Sequence, residues 1–129
     1  MSLATVYSRA QNGLQAPQVR VEVHVAGGLP AFTIVGLAET AVRESRDRVR
    51  AAIQNAGLEF PQRRITVNLA PAELPKEGGR FDLAVAIGIL SATAQVPAQK
   101  TADVEFYGEL SLGGELRRCL LYTSPSPRD

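Results

Sequence analysis

With 129 residues, the chain has room for one domain with a real core, since chains of this size bury roughly two-thirds of their extended surface. Its 14 lysines and arginines against 13 acids leave a net charge of +1. That excludes the overall basic footprint of a dedicated nucleic-acid binder and leaves room only for a local patch, while the single cysteine, Cys119, excludes a disulfide framework and a multi-cysteine metal site.

The opening MSLATVYSRAQNG carries no sustained apolar core behind a basic flank, so no secretory signal is read there. No apolar run is long enough to span a bilayer, and the expectation is a cytoplasmic protein with no membrane contact. Ala4 to Arg9 predicts a short first strand, and Asn12-Gly13 a turn. Gln18 to Ala26 predicts the clearest strand, with Val19, Val21, Val23 and Val25 on one face and Arg20, Glu22 and His24 on the other. Gly27-Gly28-Leu29-Pro30 breaks it, and Ala31 to Val35 resumes as a strand, which predicts a hairpin with a wide turn. His24 is the sole histidine. Without Cys, His or carboxylate partners at ligand spacing, it reads as a solvated strand residue rather than a metal ligand.

Gly36 to Gly57 predicts the first helix. Ala38, Ala41, Val42, Val49, Ala52, Ile53 and Ala56 form its apolar stripe, and Gly57 stands where a C-terminal cap belongs. Its outer face pairs Glu39 with Arg43, Arg43 with Asp47 and Glu44 with Arg48, each four apart, an arrangement worth roughly 0.2–0.5 kcal/mol per pair. Two uses are open: a solvated, salt-bridged surface, or a contact from Arg43, Arg46, Arg48 and Arg50 to phosphate or a neighbouring subunit.

Pro61-Gln62-Arg63-Arg64 leads into a half-buried strand in which Ile65, Val67 and Leu69 alternate with Thr66 and Asn68. A loop with Pro71 and Pro75 and a Lys76-Glu77-Gly78-Gly79 turn follow. From Phe81 to about Thr93 the chain is almost wholly apolar, which predicts a helix inside the core. Gly78 and Gly79 either expose backbone N–H groups at the positive end of that helix, where an anion or acyl oxyanion fits, or simply let the chain turn. Val104 to Tyr107 and Leu110 to Leu116 predict two last strands, with Gly113-Gly114 as a bulge or tight turn in the second. The order predicts a mixed α/β (α+β) fold with two helices packed on one sheet.

Three phrases in order, VGLAETAVRESRDRVRAAI, NLAPAELPKEGGRFDLAVAIGIL and GELSLGGELR, closely resemble the amino-terminal domain of the YifB/ComM-type, magnesium-chelatase-like AAA+ ATPases. The resemblance runs from about Met1 to Arg118. It implies a Lon-protease-like, ribosomal-S5-domain-2-like domain over residues 1–118, placed ahead of a hexameric ATPase motor that is missing here. It also implies a parent that forms a homo-oligomeric ring, acts in DNA branch migration and uptake of transforming DNA, and takes ATP and Mg2+ in the motor. The end, CLLYTSPSPRD, departs from this pattern and lacks a core-forming period. It reads as a non-native tail over 119–129, such as adapter read-through, with a genuine disordered tail as the competing reading.

No cofactor is expected in this fragment. The phosphate cradle GxxxxGK[ST] does not occur in it, and Lys76 comes before its glycines rather than after them. GxGxxG, HExxH and GxSxG are also missing. Lon-type peptidases carry their serine in a KDGPSAG-like stretch, which aligns with Lys76 to Asp82 and puts Arg80 at the serine position. Arginine cannot attack a carbonyl, so the covalent route is closed. The cations at this place, Lys76, Arg80, Arg63 and Arg64, are the candidate contacts to DNA or a neighbouring protomer. The alternative pairs Lys76 and Arg80 with Glu73 and Glu77. As a whole the chain reads as a non-catalytic domain of a DNA-remodelling ATPase. A free-standing nucleic-acid-binding module of S5-like fold is the second reading, and a Lon-like peptidase a remote third.

Overall fold

The computed structural model describes residues 2–10, 17–71, 78–101, 104–114 and 116–117 of the chain. In order come β1 (Ser2–Arg9), β2 (Gln18–Ala26), β3 (Ala31–Val35), α1 (Glu39–Asn55), β4 (Arg64–Ala70), a 3₁₀ turn (Gly78–Phe81), α2 (Asp82–Ala92), a second 3₁₀ turn (Ala98–Lys100), β5 (Glu109–Leu110) and β6 (Leu116–Arg117). The mixed sheet with two packed helices is therefore present. The Asn12-Gly13 turn, Lys76 and the segment 119–129 lie outside the described residues.

Alternation decides which face of the sheet is dry. Val6, Val19, Val21, Val23, Val25, Ile65, Val67 and Leu69 are fully buried, and Phe32 and Ile34 of β3 nearly so. Each such side chain contributes roughly 1.5–3 kcal/mol by leaving water. Both helices cover this one face. α2 rests on β1 and β2, and α1 packs against α2 and β3. Ala84, Val85, Ala86, Ile89 and Leu90 bury most of α2's circumference, as its lack of a polar face predicts. The other face is mostly polar, with Leu3 and Val35 exposed among its residues; there His24 is half-buried, opposite Leu3 and Thr66. Among the described residues no cluster of His, Cys, Asp or Glu could hold a metal.

The strand order is β1-β2-β4-β3, which corrects the expected β2–β3 hairpin. β1 and β4 both pair antiparallel with β2, so β2 has no edge left to offer. Ala26 and Ala31 both register with Arg64, so Gly27 to Pro30 pass over the start of β4. β3 then runs parallel to β4 on its far side. At the other edge, Val104 to Tyr107 is not a full strand: Glu105 forms a single bridge with Tyr7, and Phe106 N–H donates to the Tyr7 carbonyl at 2.8 Å. Leu110 to Leu116 is likewise not one strand but a hairpin. The chain reverses between β5 and β6, helped by Gly114 at φ 92°.

Candidate functional site

The site begins where the 3₁₀ turn Gly78–Phe81 feeds α2. Arg80, which the sequence resemblance aligns with a peptidase serine, is pinned on several sides. Its Nε donates to the Arg9 carbonyl at 2.6 Å, and its guanidinium lies 5.0 Å over the Tyr107 ring. The Arg80 carbonyl accepts from Gly108 N–H at 2.8 Å. Beside it Arg9 Nε meets Glu105 Oε1 at 2.6 Å, and Glu105 Oε2 accepts from Gln18 at 3.1 Å. The hydrogen bond to Glu105 holds the Arg9 guanidinium above its ordinary value. Arg80 thus ties the end of β1 and the 104–108 segment to the start of α2.

Among the described candidate cations, Arg63 and Arg64 do not converge with Arg80. Arg63 and Arg64 stand at the start of β4, both exposed, whereas Arg80 lies beyond its far end. β4 is seven residues long, Arg64 being the first, and spans about 20 Å. Arg63 instead lines a shallow cavity of about 480 Å³ with Glu59, Thr93 and Gln95. Lys76, Glu73 and Glu77 lie outside the described residues.

The feature that spacing did not reveal is a buried knot at Asp82. Its carboxylate is fully buried and accepts from Arg48 Nε at 2.5 Å, from Ser45 Oγ at 2.8 Å and from Leu110 N–H at 3.2 Å. One side chain therefore fastens α1, α2 and β5 together. Arg48, assigned by its spacing to the outer face of α1, instead turns inward, with its side chain 18% exposed. Its distance to Glu44 is 3.9 Å, as is that to Glu109. Ser45 was the available clue: it sits between Val42 and Val49 on the apolar stripe, and a hydroxyl there needs a buried partner.

Burial pushes the Asp82 carboxyl up from its ordinary value, while Arg48, Ser45 and the Leu110 N–H pull it down. Arg48 is raised above its ordinary value, chiefly by its hydrogen bond to Asp82. The partners shift in the same sense because Asp82 bears the full cost of leaving water and Arg48 only part of it. Together Asp82 and Glu109 put two carboxylates at the start of α2, and the Leu83 N–H is already taken by the Gly108 carbonyl at 3.1 Å. This setting suits the plain turn better than an anion or oxyanion cradle.

Other arginines of α1 are also held by the domain itself. Arg46 Nη1 donates to the Phe32 carbonyl at 3.0 Å. Arg50 lies 5.3 Å from the centre of the Phe60 ring and 5.9 Å from that of Phe32.

Comparison with known proteins places the chain among relatives. Residues 21–124 match the family described as subunit ChlI of Mg-chelatase, a match that ends inside the segment 119–129. Competence protein ComM of Haemophilus influenzae is 60% identical over 117 residues, covering 91% of this chain and 23% of that protein. The uncharacterized protein YifB of Escherichia coli is 56% identical over the same coverage, and an uncharacterized protein of Mycobacterium bovis 43%. The chain thus spans about a quarter of the length of the curated relatives it matches.

Proposed function

The chain belongs to the family of subunit ChlI of Mg-chelatase, and from that membership we propose that it serves as the non-catalytic amino-terminal domain of a ComM/YifB-type AAA+ ATPase. The observation that carries the non-catalytic part is Arg80. The residue in the peptidase serine's place is an arginine, bound to the Arg9 carbonyl and stacked on Tyr107, so it organises the loop rather than attacking a substrate.

In this reading the parent is a cytoplasmic ring of identical subunits that moves branched DNA at the expense of ATP. Competence, named in the relative from Haemophilus influenzae, is the process it would serve. ATP and Mg2+ belong to the motor, since no GxxxxGK[ST] cradle occurs in this sequence to hold them. This domain shapes the ring and guides DNA electrostatically. Lys76 and Arg80 provide one cationic contact. Arg63 and Arg64, at the opposite end of β4, provide a separate one.

The test is made in the full-length parent. Lys76→Ala with Arg80→Ala should weaken DNA binding and flatten its salt dependence by about one unit for each phosphate no longer neutralised, or else impair ring assembly. Unchanged DNA affinity and unchanged assembly would reject these residues as contacts. The isolated chain, given ATP or a peptide, should release neither phosphate nor cleavage product.

A further inference from the structure

The two edges of the sheet are treated differently. The β1 edge is covered by the chain itself through the Tyr7–Glu105 bridge and the Phe106 N–H bond to Tyr7. The β3 edge has no strand beyond it among the described residues. We propose that β3 is a strand-pairing edge for a second copy of this chain, and that Arg46 gates it.

Register fixes which backbone groups are on offer. Ala31 N–H donates to the Arg63 carbonyl at 3.3 Å, so the parallel ladder turns the polar groups of Ala31, Thr33 and Val35 towards β4. Those of Phe32 and Ile34 point out from the edge. Phe32 and Ile34 lie symmetrically about Thr33. A second β3 brought in antiparallel on a two-fold axis through Thr33 therefore sets Phe32 opposite Ile34 of the other copy, and each N–H meets a carbonyl. That is self-complementary pairing, the property an interface between identical copies requires. On the open face the same axis places Val35, 48% exposed, opposite Ala31 of the second copy.

The strand itself carries none of the usual deterrents. Ala31-Phe32-Thr33-Ile34-Val35 has no charge and no proline, whereas free edges are normally blunted by lysine, proline or a bulge. The deterrent comes from α1 instead. Arg46 Nη1 occupies the Phe32 carbonyl at 3.0 Å, which is one of the acceptors the second copy needs. With Arg46 in place the edge is capped. When Arg46 swings away, the four strands of each copy join in one sheet. This two-fold contact is separate from the ring proposed above and does not depend on it.

Sedimentation equilibrium of the 129-residue chain tests the gate. Arg46→Ala should dimerise with a dissociation constant at least tenfold below that of the wild type, and the Phe32 and Ile34 amides should gain hydrogen-exchange protection in the dimer. Thr33→Lys, added to Arg46→Ala, should return the monomer, because Thr33 is exposed and the two lysines would face each other across the axis. Equal self-association of wild type and Arg46→Ala overturns the proposal. So does a dimer that ignores Thr33→Lys or leaves Phe32 and Ile34 unprotected. If Arg46→Ala does not fold, the wild type is read as its concentration rises. Protection of those two amides that grows with concentration and is abolished by Thr33→Lys supports the edge, and its absence at the highest soluble concentration overturns it.

Discussion

Ala94 stands after α2 where Gly57 stands after α1: each is the left-handed residue of a Schellman turn, at φ 62° and 83°. After α1, Gly57 N–H donates to Gln54 and Leu58 N–H to Ile53. After α2, Ala94 N–H donates to Ser91 and Gln95 N–H to Leu90. The turns are the same, but only one has the residue that adopts that backbone without strain. A Cβ in the left-handed region costs roughly 1–2 kcal/mol, partly offset by the smaller entropy that alanine loses on folding. Ala94→Gly should therefore stabilise the chain by about 0.5–1 kcal/mol, and Gly57→Ala destabilise it by about the same. Urea midpoints at unchanged slope would show both. A lower midpoint for Ala94→Gly would sink this account of the cap.

The Asp82 knot predicts a loss that depends on pH. Arg48→Met leaves the fully buried Asp82 carboxylate facing a methyl group, and breaking a buried pair in this way costs about 3–5 kcal/mol. Without Arg48 the carboxyl, already pushed up by burial, rises further. The folded chain then holds the proton to higher pH than the unfolded chain, whose Asp titrates near 3.9, roughly. The sign follows from linkage. Stability from this group is full below the unfolded value and falls as pH climbs through the raised folded value. The deficit of Arg48→Met relative to wild type should thus be larger at neutral pH than in the acid range. A deficit that is constant across pH would mean that removing Arg48 leaves the titration of Asp82 unchanged.

The sequence and the structure agree where side-chain periodicity carries the information. Val19 to Val25 and Ile65 to Leu69 alternate, and Phe81 to Leu90 has no wet face, so the strands and the buried helix are legible directly. Alternation says which face a residue takes but not which neighbour its strand has, and on that ground the place of β3 was hidden. The charged face of α1 misled for a related reason. Arg48 keeps the expected pair with Glu44, at 3.9 Å, but the residue that binds it closely and turns it inward, Asp82, is 34 residues further along the chain. The separation of Arg63 and Arg64 from Arg80 was not readable, because β4 fixes only how far apart its own two ends lie, and the nine residues between Ala70 and Arg80 are enough chain to lead back along it.

Gln95 predicts a smaller effect at the opposite end of the domain. Its side-chain amide pairs with the backbone of Glu59 in both directions, accepting from the N–H at 2.9 Å and donating to the carbonyl at 2.8 Å. It also donates to Thr93 Oγ1 at 2.9 Å. The amide thus copies a strand partner and ties the segment after α1 to the end of α2. Gln95→Ala should cost about 1–2 kcal/mol, because the site is open enough for water to replace part of each bond. The amide of Glu59 should exchange faster in the variant than in the wild type, while those of α1 stay as they are. Unaltered exchange at Glu59 would show that the pair contributes nothing.

Gly88 sets how closely α2 approaches the sheet. A Cβ there would lie 2.5 Å from Val23 Cγ2 and 3.7 Å from Val6 Cγ2. Val23 is fully buried in the middle of β2, between β1 and β4, and its branched side chain has little freedom to turn aside. Alanine would normally gain about 1 kcal/mol over glycine inside a helix, but overpacking a core typically costs about 1–3 kcal/mol. Gly88→Ala should therefore come out neutral to destabilising by about 2 kcal/mol, well short of the gain expected on an open helix face. Val23→Ala alone opens a cavity and also destabilises. In the double variant the added methyl enters the space that Val23 vacates. The cycle should then show a favourable coupling of about 1 kcal/mol or more between the two sites. Strict additivity would mean that α2 shifts off the sheet to admit the methyl group, and that Gly88 is not what holds the two layers together.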